Sequence, residues 1–137
     1  MAENKNNTTV GAEDTNADRA AVITIGGQEY ELLLTTKATK EIGKKYGGLG
    51  DLGEKLMKSE NFEQAIDELI WLITLLANQP ILIHNIREPE NKKALLEPET
   101  VELLTTPLEL ADFKDAIMDA LIKGTKRNIE SEPEKNA

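Results

Sequence analysis

From Ala21 to Ile25 and again from Gln28 to Leu34, apolar residues recur at every second position, with Val22 and Leu33 as apolar residues between them. Gly26 and Gly27 between the runs can both take the positive φ that a two-residue type I′ turn demands. The pattern predicts a β-hairpin whose register follows from its turn. Ile25 stands opposite Gln28, Ile23 opposite Tyr30 and Ala21 opposite Leu32. One face then carries Ile23, Ile25, Tyr30, Leu32 and Leu34, while Thr24, Glu29 and Glu31 meet water. Two strands alone are marginally stable, so the hairpin must lie on helices or pair its edge with another copy of itself.

After the hairpin the apolar period lengthens to that of a helix. Ala38, Ile42 and Tyr46 recur every fourth residue over 36–46, with Gly47 placed to end the helix in a left-handed turn. A further short helical stretch is expected over 51–58. Asn61 followed three residues later by Gln64 reads as a capping-box start for the strongest helix, running to about Ala77, where Asn78 and Pro80 close it. At 100° per residue, Phe62, Ala65, Ile66, Leu69, Ile70, Leu72, Ile73, Leu76 and Ala77 fill one broad arc, marking a central core helix. Residues 81–88 fit either a helical turn or an extended connector. Pro98 occupies a first helical position for a short helix through Leu104. Thr106-Pro107-Leu108-Glu109 is a full capping box opening a last helix to Lys123. Gly124 is expected to stop that helix, with Lys123, Lys126 and Arg127 where the helix dipole favours positive charge. Its main apolar face is Leu110, Phe113, Ala116, Ile117, Ala120 and Leu121, widened by Ala111, Met118 and Ile122.

The fold expected is therefore mostly α with a small N-terminal β-hairpin, an α+β arrangement in one domain over 21–127. Polar tails at 1–20 and 128–137 offer little apolar surface to bury and are expected to be disordered. The aromatics are few, two Tyr, two Phe and one Trp, so Leu, Ile and Ala must supply most of the core. A net charge of −9 repels phosphate backbones and anionic lipid surfaces and so disfavours both as partners. With no cysteine there are no disulfides and no thiolate metal sites, as is ordinary in a reducing compartment. No secretory signal pattern opens the chain. The apolar run 69–83 is interrupted by Asn78, Gln79 and Pro80, leaving it too short to cross a bilayer.

Chemistry is hard to find. Gly48-Leu49-Gly50-Asp51-Leu52-Gly53 fits GxGxxG, but a dinucleotide site needs a strand before it. Here a helix precedes, so the stretch reads as a flexible connector between helices. His84 is the only histidine, and a zinc site would have to be completed by carboxylates alone. Ser59 and Ser131 are the only serines, with no triad partners at hand. Carboxylate pairs such as Glu63 with Asp67, and Asp112 with Asp115 and Asp119, fall on solvated helix faces. No catalytic, cofactor-binding or metal residue is assigned, and no enzymatic activity is expected. Trp71 and Leu75, however, form an i, i+4 apolar pair on the polar arc of the core helix. Either another element, such as 81–86, covers them, or they mark a partner-binding patch. Trp71, Leu75 and neighbouring Glu68, with Met118 and Ile122 on the last helix, are the candidate partner-binding residues.

The segment VITIGGQEYELLLTTKATKEIGKKYGGLGDLGEKL, followed by FEQAIDELIWLITLLAN and a capped C-terminal helix, resembles the small tail assembly chaperones of long-tailed phages and related prophages over about Val22 to Arg127. The resemblance implies a short hairpin on a mostly helical body and no catalysis or cofactor. It also implies binding to the tape measure protein until tail tube subunits polymerise around it. The tail tube protein and a second copy of the chain are further candidate partners; nucleic acid and membrane are not. Such a protein would work in the bacterial host cytoplasm and be absent from the finished virion. A small structural or adaptor protein of the phage particle is the alternative.

Overall fold

Gly26 and Gly27 sit at φ 57° and 84° in the computed structural model, the two positive angles of the expected turn. The structure describes residues 20–58 and 62–136, without side-chain detail at 53, 56–58 and 126–136. Strands β1 (Ala20–Ile25) and β2 (Gln28–Leu33) pair antiparallel in the expected register, Ile25 with Gln28 through Ala20 with Leu33. Ile23, Ile25, Leu32 and Leu34 are buried and Tyr30 half-buried, as alternation requires, whereas Val22, Thr24, Glu29 and Glu31 face out. Ala20, placed with the polar tail by composition, is instead the buried first residue of β1.

Five helices follow among the described residues: α1 (Thr36–Tyr46), α2 (Leu49–Lys58), α3 (Phe62–Arg87), α4 (Pro98–Leu104) and α5 (Pro107–Asn136). The described residues are mostly helical with one two-stranded hairpin, the mostly α arrangement that the periodicities predict. The Thr35 hydroxyl caps α1 by accepting from the Ala38 N–H at 3.0 Å, and Gly47, at φ 100°, ends it. Thr106 and Glu109 form the reciprocal capping box of α5, its two bonds measuring 2.9 and 3.2 Å. The glycine-rich stretch 48–53 is not a flexible connector. Most of it lies in α2, whose Leu52 is fully buried, and the element directly before it is helix α1. Asn61, the expected cap of α3, lies outside the described residues.

Two expected helix ends are corrected. Helix α3 does not close at Asn78 and Pro80; it runs 26 residues to Arg87, which also settles 81–87 as helix. Proline inside a helix costs about 3 kcal/mol because its ring crowds the preceding turn and its N–H is missing. Tertiary contacts on both sides of Pro80 offset this. Gln79, only 3% exposed, turns its amide back to the Leu75 carbonyl at 2.9 Å and accepts from the Thr35 hydroxyl at 2.5 Å. Continuous through Pro80, α3 is long and apolar enough to cross a membrane by length and composition. Here its Leu72, Ile73 and Leu76 are fully buried, and it packs on β2, α1, α4 and α5 as the core helix. Phe62, expected on the core arc, is instead 68% exposed at its start.

Helix α5 likewise passes Gly124 and carries on to Asn136. A Cβ at Gly124 would stand 2.8 Å from Leu34 Cδ2 and 2.9 Å from Leu34 Cβ, so glycine is there to let the helix approach the end of the hairpin. Lys123 is therefore not at a helix end. Its Nζ donates to the Ala20 carbonyl at 3.0 Å and pairs with Asp119 at 3.2 Å. Leu110, Ile117, Ala120 and Leu121 of α5 are buried against the hairpin and α3.

Candidate partner-binding grooves

Residues 88–97 run back along the C-terminal half of α3 without secondary structure of their own beyond a turn at 89–90. Side chains of α3 hold them. Asn78 receives the Leu96 N–H at 2.7 Å and donates to the Leu96 carbonyl at 3.0 Å. One clamp further, Asn85 does the same with Lys93, at 2.8 and 3.1 Å. His84 Nε2 meets the Asn91 carbonyl at 2.8 Å. The spacing explains the fit. Seven residues of helix from Asn78 to Asn85 rise about 10.5 Å, and three extended residues from Lys93 to Leu96 span about 10 Å. An amide is the side chain that can satisfy both groups of one peptide residue at once. Asn78, Asn85 and His84 thus serve as straps, the first in place of the helix stop expected. Among the described residues, no three His, Asp or Glu side chains gather as a metal site would require.

The connector so held divides the surface beside α3. On one side lies a groove of about 520 Å³ between α1 and the start of α4. Its floor is the α3 stripe Trp71, Thr74, Leu75 and Leu82. Lys37 and Glu41 stand on the α1 wall, with Leu95, Pro98 and Glu102 on the other. From Trp71 to Leu82 the stripe extends about 16 Å, three helical turns. Trp71 and Leu75 are half-buried, neither sealed within the core nor free of it. What covers part of Trp71 is the end of α1, and not residues 81–86. Tyr46 meets the indole edge to face, with centroids 5.9 Å apart, and Lys45 Nζ lies 4.9 Å from its centre.

The remaining candidates lie elsewhere. Glu68 does not line this groove; its Oε1 is buried without a hydrogen-bond partner, as is the Tyr46 hydroxyl. Met118 packs at the margin of the core on α5, and Ile122 one turn on is 57% exposed, but neither borders the groove. The structure therefore brings together Trp71 and Leu75 of the five, and adds Leu82 and Leu95. Leu82 follows the same helical stripe once α3 is known to pass Pro80. Nothing local marks Leu95, which the asparagine clamps set in place. Further apolar surface is exposed where α4 meets α5, at Leu103, Leu104 and Leu108, with Leu104 packed over Gly26 at the hairpin turn.

On the connector's other side a groove of about 550 Å³ separates it from β2, floored by Ala77, Pro80, Ile81 and His84. Compared with protein families, with curated proteins and with solved structures, the chain has no match.

Proposed function

We propose that this protein is a non-catalytic assembly chaperone that binds an apolar helical stretch of the tape measure protein of a long-tailed phage and keeps it soluble while the tail tube assembles. The reading joins the resemblance of residues 22–127 to that family with one structural observation. Over three helical turns, Trp71, Leu75 and Leu82 lie open between charged walls, with Thr74, Asn78 and Gln79 among them. A helix presenting apolar residues at i, i+3 or i+4, and i+7 would lay them along such a floor, while Lys37, Glu41, Asp67 and Glu102 stay hydrated at its rim. The client supports the same chemistry. A long helical chain with apolar stretches aggregates while exposed, and its holder needs matching apolar surface on an acidic, soluble body. On this reading the protein acts in the host cytoplasm, makes or breaks no bond, and leaves before the particle is complete. Exposed Leu103 and Leu108 add apolar surface that a long client can touch beyond the groove.

Coexpression with fragments of a tape measure protein tests it. The chain should hold a fragment soluble and copurify with it, and Leu95→Glu should abolish capture while keeping the melting temperature, since Leu95 is 44% exposed. Mass spectrometry of finished particles should find the tape measure protein without this chain. Its presence in virions would favour a structural adaptor, and a fragment that stays insoluble beside the native chain would end the reading. A metal or nucleotide that raises the melting temperature would redirect it toward an enzyme.

A further inference from the structure

The groove between the connector and β2 differs in kind from the one Trp71 floors, because one of its walls is a strand edge. Ile25 and Gln28 flank the turn as a hydrogen-bonded pair, so bonding alternates along the ladder, and Glu29 and Glu31 turn their N–H and C=O away from β1. The same alternation puts the Ala20 carbonyl on the outer edge of β1, where Lys123 of α5 donates to it at 3.0 Å. The edge of β1 is thus met by α5. Among the described residues, the backbones of Glu29 and Glu31 make no hydrogen bond outside the hairpin. Across the groove, Ala94 and Leu95 lie between the two clamped residues and are themselves without backbone partners.

We propose that this groove takes an extended basic peptide as a third strand against β2. Charge selects the occupant. Glu29 and Glu31 stand on the edge, Glu97 on the facing wall, and Lys93 is the one cation among the lining residues. A second copy docking edge to edge would set Glu29 and Glu31 against their own counterparts, a like-charge contact that strand pairs avoid. A strand with Lys or Arg at alternate positions meets both glutamates with opposite charge, while main-chain hydrogen bonds supply the affinity.

The test titrates the full chain with the heptapeptide Lys-Val-Lys-Val-Lys-Val-Lys, capped at both ends, and follows amide exchange by NMR. At saturation the Glu31 amide, on the open edge, slows by about tenfold or more. The Glu-Val counterpart of the peptide has no effect, and the Lys-Val peptide N-methylated at alternate residues does not bind. The Glu29→Lys, Glu31→Lys double variant changes only outward side chains and keeps the native melting temperature. It weakens the Lys-Val peptide by about tenfold or more and gains affinity for the Glu-Val one. Trp71→Ala leaves the titration unchanged, so this site and the helix-binding groove fail separately. Equal binding of the N-methylated peptide would reduce the effect to surface charge and overturn the proposal. So would Glu31 protection that grows with chain concentration alone, which would hand the edge to a second copy.

Discussion

Beside the connector, Trp71, Leu75 and Leu82 form a floor of side chains with the α1 wall next to it, whereas across the connector the accessible groups are the main chain of Glu29 and Glu31. Both surfaces rest on the same helix and share the same wall, yet they offer different chemistry. Side-chain floors accept helices by shape and apolar area, and strand edges accept extended chains by backbone pairing. The difference traces to what each flank of α3 packs against: a helix, which leaves no backbone donors free along its side, or a two-stranded sheet, which leaves an edge.

Substitutions can separate what the two surfaces share from what each owns. The largest effect should come from Ile73→Ala, a fully buried position on α3, with a loss of about 2–5 kcal/mol in urea unfolding that removes both surfaces together. Next is Asn78→Ala. It leaves the N–H and C=O of buried Leu96 unpaired and should cost about 2–3 kcal/mol, with faster exchange at the Leu96 amide. Asn85→Ala removes the same pair of bonds at exposed Lys93, where water substitutes, and should cost about 1 kcal/mol or less. If the two asparagines prove equal, burial is not what distinguishes the clamps. Gly124→Ala should lose about 1–2 kcal/mol in thermal melts, because the crowding of Leu34 outweighs the gain in helix propensity. It should disturb the β2 side and spare the Trp71 side. The smallest effect is a gain: Gly43→Ala meets nothing within 4 Å and should stabilise α1, on the opposite flank, by about 0.5–1 kcal/mol.

Much of the fold was legible because it is written in short-range chemistry. The Gly-Gly turn sets the hairpin register, Pro98 opens α4, and Thr106 with Glu109 caps α5, each within a few residues. The misread positions are those whose partners are distant. Asn78 looked like a helix stop, but its amide serves Leu96, 18 residues on. Gly124 looked like a second stop, but its missing side chain makes room for Leu34 of the hairpin. Residues that break helices locally are also those that clamp or make space over long range, and composition does not separate the two uses. The groove was half legible for the same reason. Helical spacing yields Trp71 and Leu75, whereas Leu95 arrives by a connector whose path only the folded chain reveals, and Met118 and Ile122 share a stripe on α5 that borders neither groove.

The straps that fix the connector carry no charge at Asn78 and Asn85, although the chain has 25 acidic residues from which a carboxylate of the same shape could have been drawn. An aspartate there could still accept the peptide N–H but would push a second oxygen against the peptide carbonyl. The amide avoids that conflict, and it makes the attachment indifferent to electrolyte. Concentrated salt should therefore screen the glutamates of the strand edge and weaken their preference for a cationic ligand while leaving the partition between the two surfaces standing, so ionic strength tunes selection without moving the wall.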